Sequence, residues 1–267
     1  MQYGKFVSRG APGLITLVLD DSGSMADNLP GTTDPKHTWV ERLVGVVMKE
    51  LLARCTEMQG NTALIKPRYF LQAILYGSQP QQWGTDCMTV EEFLTRYAQA
   101  GNSLGLGGKL GGTDAAVALE QARDLVAKAL AGERFQKSFP PMVFHLTDSE
   151  SQTDASQAAE QIKQIAVEDG NALLVNAYIG TSTSLPYAGP EDFPGYLNEA
   201  EAGPDSNNIR MFRMSSVVPA TIHKNLVGDG IFPKLREGSR FLYDVRTKEM
   251  LKHCLQVVQS IPANQAC

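Results

Sequence analysis

The residues best equipped for chemistry are Asp20-Asp21-Ser22-Gly23-Ser24, which set one carboxylate and two hydroxyls at alternate positions of a short segment. Side chains spaced in this way converge on a single cation from a tight loop, and hard divalent ions take such oxygen ligands. Gly23 lets the backbone turn between the two serines without a side-chain clash. Because most of these ligands are neutral, the ion keeps positive charge that an incoming acid can use.

Several elements must position this loop. Residues 14–19, Leu-Ile-Thr-Leu-Val-Leu, form a continuous apolar run suited to a strand buried on both faces. Helical spacing follows over residues 38–58, then a strand over 69–76, a short edge strand around Trp83 and a helix opened by Thr89-Val90-Glu91-Glu92. Residues 101–112 hold six glycines and read as a loop that bends sharply or approaches a ligand. A helix over 114–130, a buried strand over 142–147, a helix over 154–167 and a strand over 172–179 complete the alternation. Such alternation is the signature of an α/β fold with an open, mostly parallel sheet, helices on both faces and a ligand site at the C-terminal strand ends.

The later chain is less regular. Residues 180–208 carry Pro186, Pro190, Pro194 and Pro204, and a connection of that length is expected to be functional or mobile, near the rim of the strand ends. A strand is expected over 209–214, a helix over 218–227, a short strand over 240–245 and a closing helix over 247–260, with a frayed end after Pro262. The whole chain, 1–267, is expected to form one domain with its core at about residues 12–260.

The Asp-x-Ser-x-Ser pattern after the first buried strand resembles the opening motif of the von Willebrand factor A (VWA) and integrin I-domain superfamily, with Asp20, Ser22 and Ser24 in the matching positions. The resemblance implies a Rossmann-like fold and a metal-ion-dependent adhesion site. It also implies two further ligands: Thr113, in Gly111-Gly112-Thr113-Asp114 ahead of a helix, and Asp148, at the end of Val143-Phe144-His145-Leu146-Thr147. The serines and threonine of that family bind the ion directly or through water, and its aspartates often act through bridging waters. The family usually has glycine after the second aspartate, where this chain has Ser149 and then Glu150. Mg²⁺ is the expected cation, with Mn²⁺ or Ca²⁺ using similar oxygens.

By the same resemblance the chain is expected to be a binding module, not an enzyme, whose metal takes an Asp or Glu from a partner protein. Cytoplasmic bacterial members work as adaptors or regulators beside AAA+ ATPases, or with a protein kinase and a PP2C-type phosphatase in stress systems. The alternative is a metal-dependent, phosphatase-like hydrolase, which would need Asp21, Glu150 or His145 as general base. Aspartyl-phosphate chemistry lacks its second acid, because Ser22 stands two positions after Asp20. Gly105-Leu106-Gly107-Gly108-Lys109 lacks phosphate-loop spacing and reads as a plain flexible loop.

Composition narrows the classes further. A formal net charge of −5 without a Lys/Arg cluster argues against nucleic acid. The first ten residues lack the apolar core of a secretory signal, and the longest apolar runs are strand-sized, so a soluble cytoplasmic protein without membrane contact is expected. Cys55, Cys87, Cys254 and Cys267 are widely spaced and read as free thiols. His145 reads as a core histidine, Asp114 as a helix N-terminal acid, and Asp21 as either a tuning group or a solvated one. Trp39 and Trp83 read as core, and Tyr187 and Tyr196 as surface contacts.

Overall fold

The computed structural model describes residues 2–180, 187 and 189–263. Strand β1 (Gly13–Asp20) leads through helix α1 (Lys36–Cys55) and a hairpin of β2 (Thr56–Gln59) and β3 (Thr62–Ile65) to β4 (Tyr69–Tyr76). After β5 (Pro80–Thr89) come α2 (Val90–Gln99), α3 (Ala115–Leu130) and β6 (Met142–Thr147). Helix α4 (Ser156–Gln164), a two-residue pair β7 (Ala166–Val167) and β8 (Gly170–Asn171), and β9 (Leu173–Ile179) follow. The chain closes with α5 (Ser206–Met214), α6 (Ala220–Gly228), β10 (Leu242–Val245) and α7 (Lys248–Gln256).

The main sheet has six strands in the order β10-β9-β6-β1-β4-β5. All neighbours are parallel except β5, which runs antiparallel along the edge beside β4. Strands β1, β4, β6 and β9 are buried along their whole length, which accounts for their predominantly apolar sequences. Helix α1 packs beside α2 and α7, while α3 packs beside α4 and α4 beside α5, giving the expected α/β layering. Chain direction across the sheet reverses at β1, with β4 on one side and β6 on the other, and open α/β sheets leave a crevice at such a point. Register aligns Asp20 with Tyr76 and Leu19 with Leu146, so the C-terminal ends of all three strands lie side by side.

Four expectations about the elements and their burial need correction, the first being the helix over 154–167, which ends at Gln164 and leaves residues 166–167 to β7. Residues 209–214 form part of α5, not a strand: Asp205 caps the helix by accepting from Asn207 N at 2.8 Å, and Asn208, Met211 and Phe212 share its buried face. The first helix stops at Cys55, and the residues beyond it turn into the β2–β3 hairpin. Tyr187 and Tyr196 are buried, because Phe193 draws them into an aromatic cluster with ring centroids 5.1 and 5.5 Å away. Phe232 and Tyr243 complete that cluster at 5.3 and 5.6 Å from Phe193. Residues 181–186 and 188, which include Pro186 of the expected long connection, lie outside the described residues, as do 264–267 with Cys267.

Among the described residues no helix is long and apolar enough to cross a membrane. Cys55, Cys87 and Cys254 are free.

Candidate metal site

Asp20 ends β1 and is fully buried. One of its carboxylate oxygens accepts from Ser22 N at 2.7 Å, which tightens the turn that starts the loop, and the other accepts from Thr147 Oγ1 at the end of β6. Burial pushes the Asp20 carboxyl up to about 6, against the pull of the hydrogen bonds from Thr147 and Ser22. A buried acid of this kind gains from a cation nearby.

Ser22 and Ser24 bring their hydroxyl oxygens within 3.2 Å of each other. Ser24 Oγ donates to Asp148 Oδ1 at 2.7 Å, so loops following β1 and β6 meet at one point. Ser149 joins them: its hydroxyl lies 2.5 Å from Ser24 Oγ and donates to Asp148 Oδ1 at 2.8 Å. The segment with Thr113 is clamped between the loops. Gly23 N donates to Gly111 O at 2.9 Å, Asp114 N to Gly77 O at 2.8 Å and Gln152 N to Thr113 O at 2.8 Å. Thr113 is itself buried. All five candidate residues therefore belong to one neighbourhood at the strand ends. Among the described residues no three of His, Cys, Asp and Glu cluster as a metal cage, so a cation here would draw on hydroxyls as well as carboxylates. That donor set fits a hard divalent ion.

Close backbone packing holds the glycine-rich loop in place. Asp21 is buried, and its Oδ1 accepts from Gly107 N and Gly108 N, both at 2.6 Å. It is thus an anchor for residues 107–108, neither a solvated acid nor a group turned to the site. Glu41 of α1 does the same for the start of that loop, accepting from Ser103 Oγ, Leu104 N and Leu106 N at 2.7–2.9 Å. The expectation of a plain loop therefore gives way to one tied down by two carboxylates. Gly77 has no room for a side chain, because a Cβ there would lie 2.2 Å from Leu110 O. Asp114 caps α3, as expected, and accepts from Thr153 Oγ1 at 2.5 Å.

His145 is a core residue. Its Nε2 lies 2.7 Å from Tyr76 Oη and its Nδ1 2.9 Å from Asn176 Oδ1. Asn176 uses its amide to donate to Ser215 Oγ at 2.9 Å, so His145 carries its proton on Nδ1 and accepts from Tyr76 at Nε2. Burial pushes the imidazole down to about 4. Trp83 packs against Phe93 at 4.8 Å, and Trp39 lies between Arg42 and Lys248, both within cation–π range.

One residue at the site escaped the sequence reading. Lys36, the first residue of α1, turns its ammonium inward to 2.7 Å from Asp148 Oδ2 and 3.2 Å from Ser24 O. Both side chains of the pair are buried, at 4% and 0% exposure. The available signal was its place after Pro35, since a lysine in the first turn opposes the helix dipole and needs a reason to be there.

No family model matches the chain, and no curated protein does. Solved structures do. Proximal thread matrix protein 1 from the mussel byssus superposes with a TM-score of 0.50 at 13% identity over 93% of this chain and 47% of that one. A second structure of that mussel protein, with a zinc-occupied MIDAS motif, gives the same TM-score at 14% identity, with the same shares covered. The PilB minor pilin from Streptococcus sanguinis reaches 0.55 at 9% identity, covering 94% of this chain and 61% of the pilin. The chain thus spans about half the length of the mussel protein, and the likeness is one of fold: this is the von Willebrand factor A fold.

Proposed function

We propose that this chain is a metal-dependent protein-interaction module, in which Asp20, Ser22, Ser24, Thr113 and Asp148 hold a divalent cation that binds an acidic residue of a partner. The observation that carries this reading is the meeting of Ser22 Oγ, Ser24 Oγ and Asp148 Oδ1, 3.2 and 2.7 Å apart in succession, where the chain reverses across the sheet. When bound, the cation supplies a Lewis-acidic site for a carboxylate. Mg²⁺ is the proposed ion, with Mn²⁺ and Ca²⁺ as alternates, and the zinc-occupied motif of the mussel protein is in keeping with a divalent ion in this fold.

The chain's own residues organise the site before any ion arrives. Asp20 closes the serine turn, Thr147 ties that acid to β6, and Asp21 fixes the glycine loop that leads to Thr113. A hydrolytic role fits less well, because each candidate base is already engaged. Asp21 accepts two backbone amides, His145 is sealed between Tyr76 and Asn176, and Glu150 is half exposed and paired with Arg210 at 2.6 Å. The module is proposed to be a single cytoplasmic domain acting as an adaptor. An AAA+ ATPase, a protein kinase or a PP2C-type phosphatase is a candidate partner by analogy of fold alone.

The test is calorimetric titration of Mg²⁺ and Mn²⁺ into the chelator-stripped chain and into an Asp20→Ala/Ser22→Ala variant, followed by affinity capture with and without EDTA. Binding by the parent chain alone, with a partner lost in EDTA, is expected. A folded parent chain that binds neither ion rejects the reading.

A further inference from the structure

Lys36 is unfavourably placed on three counts. It is a buried ammonium, it lies at the positive end of a helix, and its long side chain surrenders rotamer freedom to reach inward. The compensation is Asp148, a proposed metal ligand, together with the carbonyl of Ser24, another. A lysine fixed at this point sets a positive charge against two of the proposed ligands.

Three buried charged side chains define the balance at the site. Asp20 and Asp148 are the buried carboxylates of the site and Lys36 is the buried base beside them, while Asp21 is spent on the glycine-rich loop. Two carboxylates and one ammonium leave the site with one formal negative charge, which a divalent ion would turn into one positive charge. Without Lys36 the empty site would carry two negative charges, and the loaded site would be neutral toward any acid that approached.

We propose that Lys36 is a specificity-setting counter-charge, weakening cation binding while leaving the loaded site net positive toward an incoming carboxylate. This rests on the adhesion-site reading above. It assigns Lys36 two effects of opposite sign, which a merely structural lysine would not produce. Removing the charge tightens the metal and loosens the acid.

The experiment uses the full chain with Lys36→Met and, as a second variant that retains polar hydrogen bonding, Lys36→Gln. Mn²⁺ is titrated into each by calorimetry, and acetate is then titrated into the Mn²⁺-loaded proteins while the relaxation of water protons on the bound ion is followed. Both variants are expected to bind Mn²⁺ about tenfold or more tightly than the parent chain, since an ammonium held on a proposed ligand repels the ion strongly in a partly buried site. Acetate is expected to bind them more weakly. Folded variants with unchanged or weaker Mn²⁺ affinity overturn the proposal, as does acetate affinity that stays the same or rises. Variants that unfold without metal and refold in excess Mn²⁺ support it, because the cation then replaces the missing charge. Variants that stay unfolded in Mn²⁺ count against it. If parent and variants are all folded and none binds Mn²⁺, the adhesion-site reading itself falls, an outcome distinct from a change in relative affinity.

Discussion

Tyr76 donates its hydroxyl to His145 Nε2 at 2.7 Å, across the strand that ends in Asp20. Both side chains are buried, and the far side of the imidazole is held by Asn176. The ring is therefore kept neutral, with burial lowering its pKa from 6.5 to about 4.

A pH dependence follows from this. Between about pH 6.5 and about pH 4 the unfolded chain takes up a proton at residue 145 that the folded chain refuses, so this contribution to stability is complete above that window and lost as pH falls through it. The full loss is about 3 kcal/mol. Asp20 works in the opposite direction, because its pKa is raised to about 6 and the folded chain takes up that proton first. The two are separated by comparing urea unfolding of the metal-free parent chain and a His145→Gln variant at about pH 7.5 and about pH 5. The parent should lose about 2 kcal/mol more than the variant over that interval. Equal losses would show that the buried histidine is not the source.

What could be read from the sequence, and what could not, follows from the range of the interactions. The strand before Asp20 and the serine spacing after it are local patterns, and local patterns survive in one dimension. Lys36 does not advertise itself, because its partner Asp148 is 112 residues away. Tyr187 and Tyr196 looked like surface residues in a proline-rich stretch, and only Phe193, Phe232 and Tyr243 draw them inside. The misread strand at 209–214 is a different case. Asp205 was a visible cap, and giving it more weight than the short apolar run would have given the helix.

Asp21 makes a prediction about order in the glycine-rich loop. Its Oδ1 is the acceptor for two consecutive amides, those of Gly107 and Gly108. Asp21→Ala should cost about 2–3 kcal/mol, since it removes a charged acceptor from two backbone donors. Asp21→Asn keeps an oxygen in place and should cost less. Amide hydrogen exchange reads the effect directly, with residues 107 and 108 losing protection first in the alanine variant. Protection that persists there would mean other contacts hold the loop.

Gly77 tests how closely the loops after β4 and α2 must approach. A Cβ at this position would meet the backbone carbonyl of Leu110 at 2.2 Å, and backbone cannot step aside as a side-chain tip can. Gly77→Ala should destabilise the chain by about 2–3 kcal/mol in denaturant unfolding. Gly132 is the control: a Cβ there meets nothing within 4 Å, and Gly132→Ala should be neutral or mildly stabilising. Equal effects at the two positions would reject the close approach.

Ser149 stands where the resembling family usually has glycine, and its hydroxyl contacts both Ser24 Oγ and Asp148 Oδ1. It therefore orients two proposed ligands at once. Groups that orient ligands from outside the coordination sphere typically change metal affinity by about tenfold or more when removed, so Ser149→Ala is expected to weaken Mn²⁺ binding by about tenfold. Its effect on unfolding of the metal-free chain should be small, about 1 kcal/mol, because Ser24 and Asp148 keep their own hydrogen bond at 2.7 Å. Calorimetry and denaturant unfolding on the same variant separate the two. A large loss of stability with unchanged Mn²⁺ affinity would make Ser149 a structural bridge between the β1 and β6 loops. Weaker binding at nearly constant stability would mean that the hydroxyl in place of glycine serves the cation.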